Sequence, residues 1–209
     1  MLFELRSGML RAVSTDGHRL ALCDAALEGQ SEEAGVILPR KGVMELARIL
    51  SDAAENARLT LGRNHIRIVA GSITFTSKLV DGKFPEYERV IPKDGSRVVM
   101  ADRETLRQAL SRVAILSNEK YRGVRVQLSE GSLRIVANNP EQEEAEETIN
   151  VDYEGNELEI GFNVNYLLDA LSNINEEKII ISLRDQNSSM LIEKKENQQF
   201  KYVVMPMRI

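Results

Sequence analysis

Apolar and polar residues alternate from Met9 to Ser14 and again from Arg19 to Cys23, the period of a half-buried strand. The Thr15-Asp16-Gly17-His18 stretch between them is a turn, with Asp-Gly suited to the positive φ that such turns need. Leu2–Leu5 reads as a further strand with no lead-in. Read as an edge, it suggests a missing upstream neighbour, hence a fragment or an internal start. Gly29–Glu33 is a polar loop and Gly35–Pro39 a short apolar strand. From Arg40 the spacing changes to that of a helix through Leu50, with Val43, Leu46, Ala47 and Leu50 as its inner stripe. Strands then follow at 57–61, 66–69 and 73–79, and residues 88–96 read as a linker.

The same order recurs. A strand at Val98–Met100 leads to Asp102, a helix cap, and to a helix reaching about Leu116 with Leu106, Leu110, Val113 and Ala114 inward. Strands at 123–128, 133–137 and 143–151 complete that pass. A third pass has a strand at 158–162, the cap Asn163, a helix through Leu167, Leu168 and Leu171, and strands at 178–183, 189–193 and 201–205. Three copies of strand–helix–three strands indicate an α+β fold with helices on one face of antiparallel sheets. The opening strands are the tail of a further, truncated unit. Two units per domain give an incomplete domain over 1–96, lacking its first strand and helix, and a complete one over 97–209.

Composition narrows the chemistry. The 209 residues carry a net charge of -5, which on its face disfavours a nucleic-acid binder, although segregated charge can leave one basic surface. The one cysteine, Cys23, excludes an internal disulfide framework, and with only two histidines a zinc site of the usual spacing is not expected. No apolar run reaches membrane-spanning length, and the N-terminal residues lack a signal-peptide pattern, so a cytoplasmic protein without cofactor is expected. No phosphate loop, nucleophile elbow or paired-carboxylate motif is legible. His18 as a catalytic base has no nucleophile near it in sequence; a turn histidine is the plainer alternative. The C-terminal stretch Tyr202–Ile209 is apolar, with Met205 and Met207 flanking Pro206. It is either a buried last strand or, since methionine-rich surfaces adapt to varied ligands, a wall of a peptide groove.

Six stretches in order decide between such readings. They are Thr15–Leu20, Val36–Val43, Phe75–Gly82, Ile115–Lys120, Ala137–Glu144 and Tyr202–Arg208. Together they resemble the bacterial DNA polymerase III beta subunit family, the replicative sliding clamps, over the whole chain. The resemblance implies a DNA-clamp fold built of duplicated units. It also implies a non-enzymatic processivity factor, or a fragment of one, whose full-length relatives close head to tail as a homodimer ring around duplex DNA. Its partners would be DNA polymerase subunits, the clamp loader and repair proteins. These bring short linear motifs, typically a glutamine followed by leucine and phenylalanine, to a pocket between the middle and last domains.

By the same resemblance that pocket is walled by Thr15, Gly17, His18, Arg19, Leu20, Pro85, Arg89, Val90, Tyr121, Asn163, Tyr166, Ser189, Val203, Val204, Met205, Pro206, Met207 and Arg208. Leu20, Val90 and Val203 would take apolar anchors. His18, Asn163 and Arg208 would hold backbone or glutamine groups, and Met205 would gate the site. Asn187 departs from the family pattern, standing where an apolar wall residue is expected. The DNA-facing residues would be Arg40, Lys41, Lys83, Arg107 and Arg112, each otherwise an ordinary solvated charge. Glu143, Glu144, Glu146 and Glu147, with Ile115 and Leu116, would form the ring interface. Two alternatives remain: a shortened clamp assembling by another interface, through an exposed first strand, and a fragment that only binds partner peptides and does not encircle DNA. An enzyme is the reading of a different class.

Overall fold

The computed structural model describes residues 1–28, 32–51, 56–92, 95–195 and 199–208. Parts of the loop expected at 29–33 and of the linker expected at 88–96, and the terminal Ile209, lie outside the described residues. Contacts divide the chain into two units, Met1–Thr15 with Leu22–Glu86, and Asp16–Ala21 with Tyr87–Ile209.

The first unit contains β1 (Leu2–Arg6), β2 (Met9–Thr15), most of β3 (Arg19–Ala26), β4 (Ala34–Ile37), α1 (Arg40–Leu50), β5 (Arg58–Leu61), β6 (His65–Ala70) and β7 (Ile73–Lys78). One sheet runs β4-β1-β2-β3 and another β5-β6-β7. The expectation that β1 is an edge is corrected. It pairs antiparallel with β2 on one side and β4 on the other, so its backbone groups are spent and it offers no template for assembly. Its Leu2, Phe3 and Leu5 side chains are buried. On α1, Val43, Leu46 and Leu50 of the expected stripe pack inward and Ala47 is exposed; Gly42, not expected there, is buried. The reason is a close approach to β7. A Cβ built on Gly42 would lie 2.9 Å from the Ser77 hydroxyl, so only glycine lets the helix settle there.

The second unit contains β8 (Arg97–Asp102), α2 (Arg103–Val113), β9 (Gly123–Ser129), β10 (Ser132–Asn138), β11 (Glu144–Asn150), β12 (Leu158–Asn163), α3 (Val164–Ser172), β13 (Lys178–Leu183), β14 (Met190–Lys194) and β15 (Phe200–Val204). A 3-10 turn, Ala114–Leu116, prolongs α2. Both helices start as their caps predict. Asp102 Oδ1 accepts from the Thr105 N–H at 2.7 Å, and Asn163 Oδ1 from the Asn165 N–H at 3.0 Å. Sheet order is β11-β10-β9-β12 and β15-β14-β13-β8. The repeats are thus interlocked: β12 pairs with β9 of the preceding repeat, and β8 with β13 of the following one. Alternation along β9 and β13 sends Val124, Val126, Leu128, Ile179, Ile181 and Leu183 inward, against Leu106, Leu110 and Val113 of α2 and Leu167 and Leu171 of α3. Each such side chain contributes about 1.5–3 kcal/mol by leaving water.

The stretch read as a linker is not an open tether over its described part. Tyr87–Arg89 is a 3-10 turn with Tyr87 buried, and the Val90 carbonyl accepts from Ser189 Oγ at 2.9 Å. Among the described residues, no helix is long and apolar enough to cross a membrane.

Candidate functional site

All the candidate groove residues except Thr15 and Pro85 belong to the second unit. The turn at its centre is built locally. Gly17 has φ +88°, and Asp16 Oδ1 accepts from the His18 and Arg19 N–H groups, both at 3.0 Å. Asp16 Oδ2 then meets Arg19 Nε at 3.2 Å, while Asp169 of α3 takes Nη1. The guanidinium lies 4.6 Å from the Tyr166 ring centroid, and the His18 ring stacks on the same tyrosine at 6.2 Å. Burial pushes the Arg19 guanidinium down and the Asp16 carboxyl up. On Arg19 the Asp169 bond, Tyr202 and the Asp16 bond together outweigh this, and on Asp16 the backbone donors of His18 and Arg19 and the Arg19 side chain do so together, so both stay charged.

The C-terminal stretch joins this turn. The His18 carbonyl accepts from the Met205 N–H at 2.9 Å, and the Gly161 carbonyl from the Met207 N–H at 2.9 Å. β15 stops at Val204, as Pro206 requires. Val203 and Val204 are buried in the last strand, while Pro206 and Met207 are half-buried. Met205 is 37% exposed and Arg208 lies at the surface. Leu20 and Val203, expected as anchor sites, are closed off at 2% and 1% exposure; Val90 is open. Asn163 is engaged at both ends, capping α3 and donating from Nδ2 to the Tyr121 carbonyl at 3.1 Å. Arg89 and Tyr121 are exposed, and Ser189 is tied to Val90.

The basic candidates separate into two kinds. Arg40, Lys41 and Lys83 are exposed. Arg107 is paired with Glu104 at 2.5 Å, and Arg112 with Glu147 of β11, so these two present less free charge than α2 suggests. Glu147 therefore faces α2 rather than the open edge, because inward positions alternate on β11: Ala145, Glu147 and Ile149. Glu144 and Glu146 point outward from a strand that, among the described residues, pairs only with β10. Glu146 holds Arg134, and Glu143 holds Asn139 in the preceding turn. Ile115 is 76% exposed beside them, and Leu116 half-buried. Among the described residues no group of histidine, cysteine or carboxylate side chains is placed to hold a metal ion.

Sequence reasoning missed Asp169 and Arg103. The second donates to the Leu171 and Glu176 carbonyls at 3.3 and 3.1 Å, tying α2 to the end of α3. Neither left a local signal, since each partner lies far along the chain.

Comparison with known proteins decides the family. Residues 1–86 match the family model of the DNA polymerase III beta subunit central domain, and residues 88–208 that of its C-terminal domain. The chain belongs to the DNA polymerase III beta subunit family. The beta sliding clamp of Pseudomonas putida is 59% identical over 210 residues, and that of Escherichia coli 51% over 209. Each comparison covers 100% of this chain but 57% of the relative, so the chain spans a little over half the length of these clamps. A crystal structure of the Pseudomonas aeruginosa clamp with ligand superposes with a TM-score of 0.97 at 56% identity, covering 100% of this chain and 57% of that one. The Caulobacter crescentus clamp does so at 0.93 and 37%, with the same coverage. The α+β clamp fold expected from the repeats is therefore the fold of this chain.

Proposed function

We propose that the chain works as part of a replicative sliding clamp, a processivity factor that tethers polymerase and other partners to duplex DNA. Residues 1–96 and 97–209 would serve as middle-domain and last-domain portions of that clamp. The chain has no catalytic role of its own and acts in the cytoplasm. Tethering raises the partner's effective concentration on the template, so DNA contacts need only be weak and sequence-blind. Partners arrive through short linear motifs captured on the second unit. The observation carrying this reading is the anchored but exposed Met205–Arg208 stretch lying against the His18 turn, in a chain of the clamp family. A mostly apolar surface with a few fixed polar groups suits an extended peptide. Because Leu20 and Val203 are covered, the anchors would enter only as Met205 moves, the gating part assigned to it. The outward carboxylates of β11 with Ile115 would form the ring edge.

The test is fluorescence anisotropy of a labelled clamp-binding peptide, with the chain and with the chain lacking residues 205–209. Micromolar binding that disappears on truncation supports the reading, as does competition by griselimycin, which a Pseudomonas aeruginosa clamp structure is described as binding. No binding by a folded, untruncated chain refutes it.

A further inference from the structure

A second concavity adjoins the C-terminal stretch. It is an open cleft of about 400 Å³ whose lining includes Asn118, Tyr121, Asn138, Pro140, Met207 and Arg208. Its walls are held rigidly. Asn118 Oδ1 accepts from the Lys120 and Tyr121 N–H groups at 2.9 and 3.1 Å, and Asn163 Nδ2 donates to the Tyr121 carbonyl at 3.1 Å. Arg122 follows with φ 51°, a conformation that L-residues seldom adopt, so the loop turns sharply after the tyrosine. Met207 is pinned to Gly161, and Asn139 to Glu143. A preformed cleft loses little entropy when it is filled.

Its chemistry is that of unspent donors beside an apolar wall. Among the described residues, Arg208 and Lys120 have no carboxylate partner, and the Asn138 amide has no hydrogen bond. The Lys120 ammonium lies 5.2 Å from the Tyr121 ring centroid, and that ring is 56% exposed. Met207 and Pro140 supply apolar surface.

We propose that this cleft is a further peptide subsite. It takes, in extended form, the residues immediately preceding a partner's clamp-binding motif, with a carboxylate side chain against Arg208 and Asn138. This rests on the groove reading above, in which Arg208, with His18 and Asn163, holds the motif's backbone or glutamine groups. A chain continuing N-terminally from that glutamine then meets the cleft, since Met207 and Arg208 belong to both. The subsite discriminates among partners by what flanks the motif: an acidic residue is favoured, and a lysine meets two uncompensated cations.

The experiment compares three labelled peptides by anisotropy: the motif alone, the motif with an aspartate-containing N-terminal extension, and the same extension with lysine. The aspartate form is expected to bind about 3- to 10-fold tighter than the motif alone, a gain that salt erodes. The lysine form gains nothing. Asn138→Asp sits on an exposed residue without side-chain partners, so the fold is retained. It should abolish the gain and leave the bare motif's affinity unchanged. Equal affinities for all three peptides, or an N138D loss shared by all three, overturn the subsite while leaving the groove standing. Failure of the bare motif to bind refutes both.

Discussion

Arg19 and Asp169, 150 residues apart in sequence, are joined as an ion pair on one side of the Tyr166 ring. The His18 turn is thereby fixed to α3 by side chains, and to the residue after β15 by the Met205 N–H. Arg19→Ala is expected to lower stability by about 1 kcal/mol, a figure reduced from that of a buried charged bond because Asp169 is half exposed. It should also weaken motif-peptide binding, because the turn loses its lateral support. Urea unfolding gives the first quantity and anisotropy the second; an unchanged peptide affinity would show that the turn holds its shape unaided.

Asp102→Ala removes the acceptor that serves the Thr105 N–H. Loss of about 1 kcal/mol is expected, with peptide affinity unaltered. A loss below a few tenths would mean that water replaces the cap without cost.

Phe162→Ala empties the centre of the second unit, where the ring is fully buried. About 3–5 kcal/mol should be lost, enough to shift the urea midpoint substantially. A near-wild-type midpoint would contradict the place of Phe162 in the buried core of the second unit.

Acid should loosen the second unit in a defined window. The Glu104 carboxyl is held down to about 2, from an ordinary 4.5, by Arg107 and then Gln108. Asp185 is held down to about 2, from 3.8, by Ser188, then the Asn187 N–H and Arg184. Lowered folded-state values mean that the unfolded chain takes up protons first. The stabilisation is complete above the unfolded values and is lost as pH falls through the folded ones. The urea midpoint should therefore drop between about pH 5 and about pH 2. Glu104→Gln should flatten part of that drop, and a flat profile in the parent chain would contradict the assignment.

Weak, salt-dependent DNA binding should respond unequally to the arginines. Arg40→Ala with Lys41→Ala is expected to reduce the slope of log affinity on log salt by about 1 for each phosphate no longer neutralised. Arg107→Ala and Arg112→Ala should do less, because Glu104 and Glu147 already neutralise those side chains. Equal slopes for both pairs of substitutions would argue against this division.

The repeats, the caps at Asp102 and Asn163, and the end of pairing before Pro206 were legible because each is written within a few residues of where it acts. The position of β1 was not. Its second neighbour, β4, begins at Ala34, and nothing in Leu2–Arg6 distinguishes an edge from an interior strand. The resemblance assigned Glu147 to an acidic edge, and only the fold brings Arg112 to it. The burial of Gly42 on α1 was not legible because glycine carries no hydrophobic signal, yet it permits a close approach to β7. The C-terminal residues divide at the point where the strand ends: Val203 and Val204 are core, and Met205–Arg208 are half-buried or exposed. The cleft beside Tyr121 gathers residues from two separated stretches, 118–123 and 138–140, and from the terminus, and so had no local signature.

The crossed pairing of β8 with β13 and of β12 with β9 bears on how this unit tolerates being cut. Each repeat holds the strand that finishes the other's sheet, so neither half is a closed object by itself. A nick in the short connection at 154–156 should therefore leave two pieces that remain bound and act together. Produced apart, the pieces should find their fold only on meeting, each serving as the other's mould.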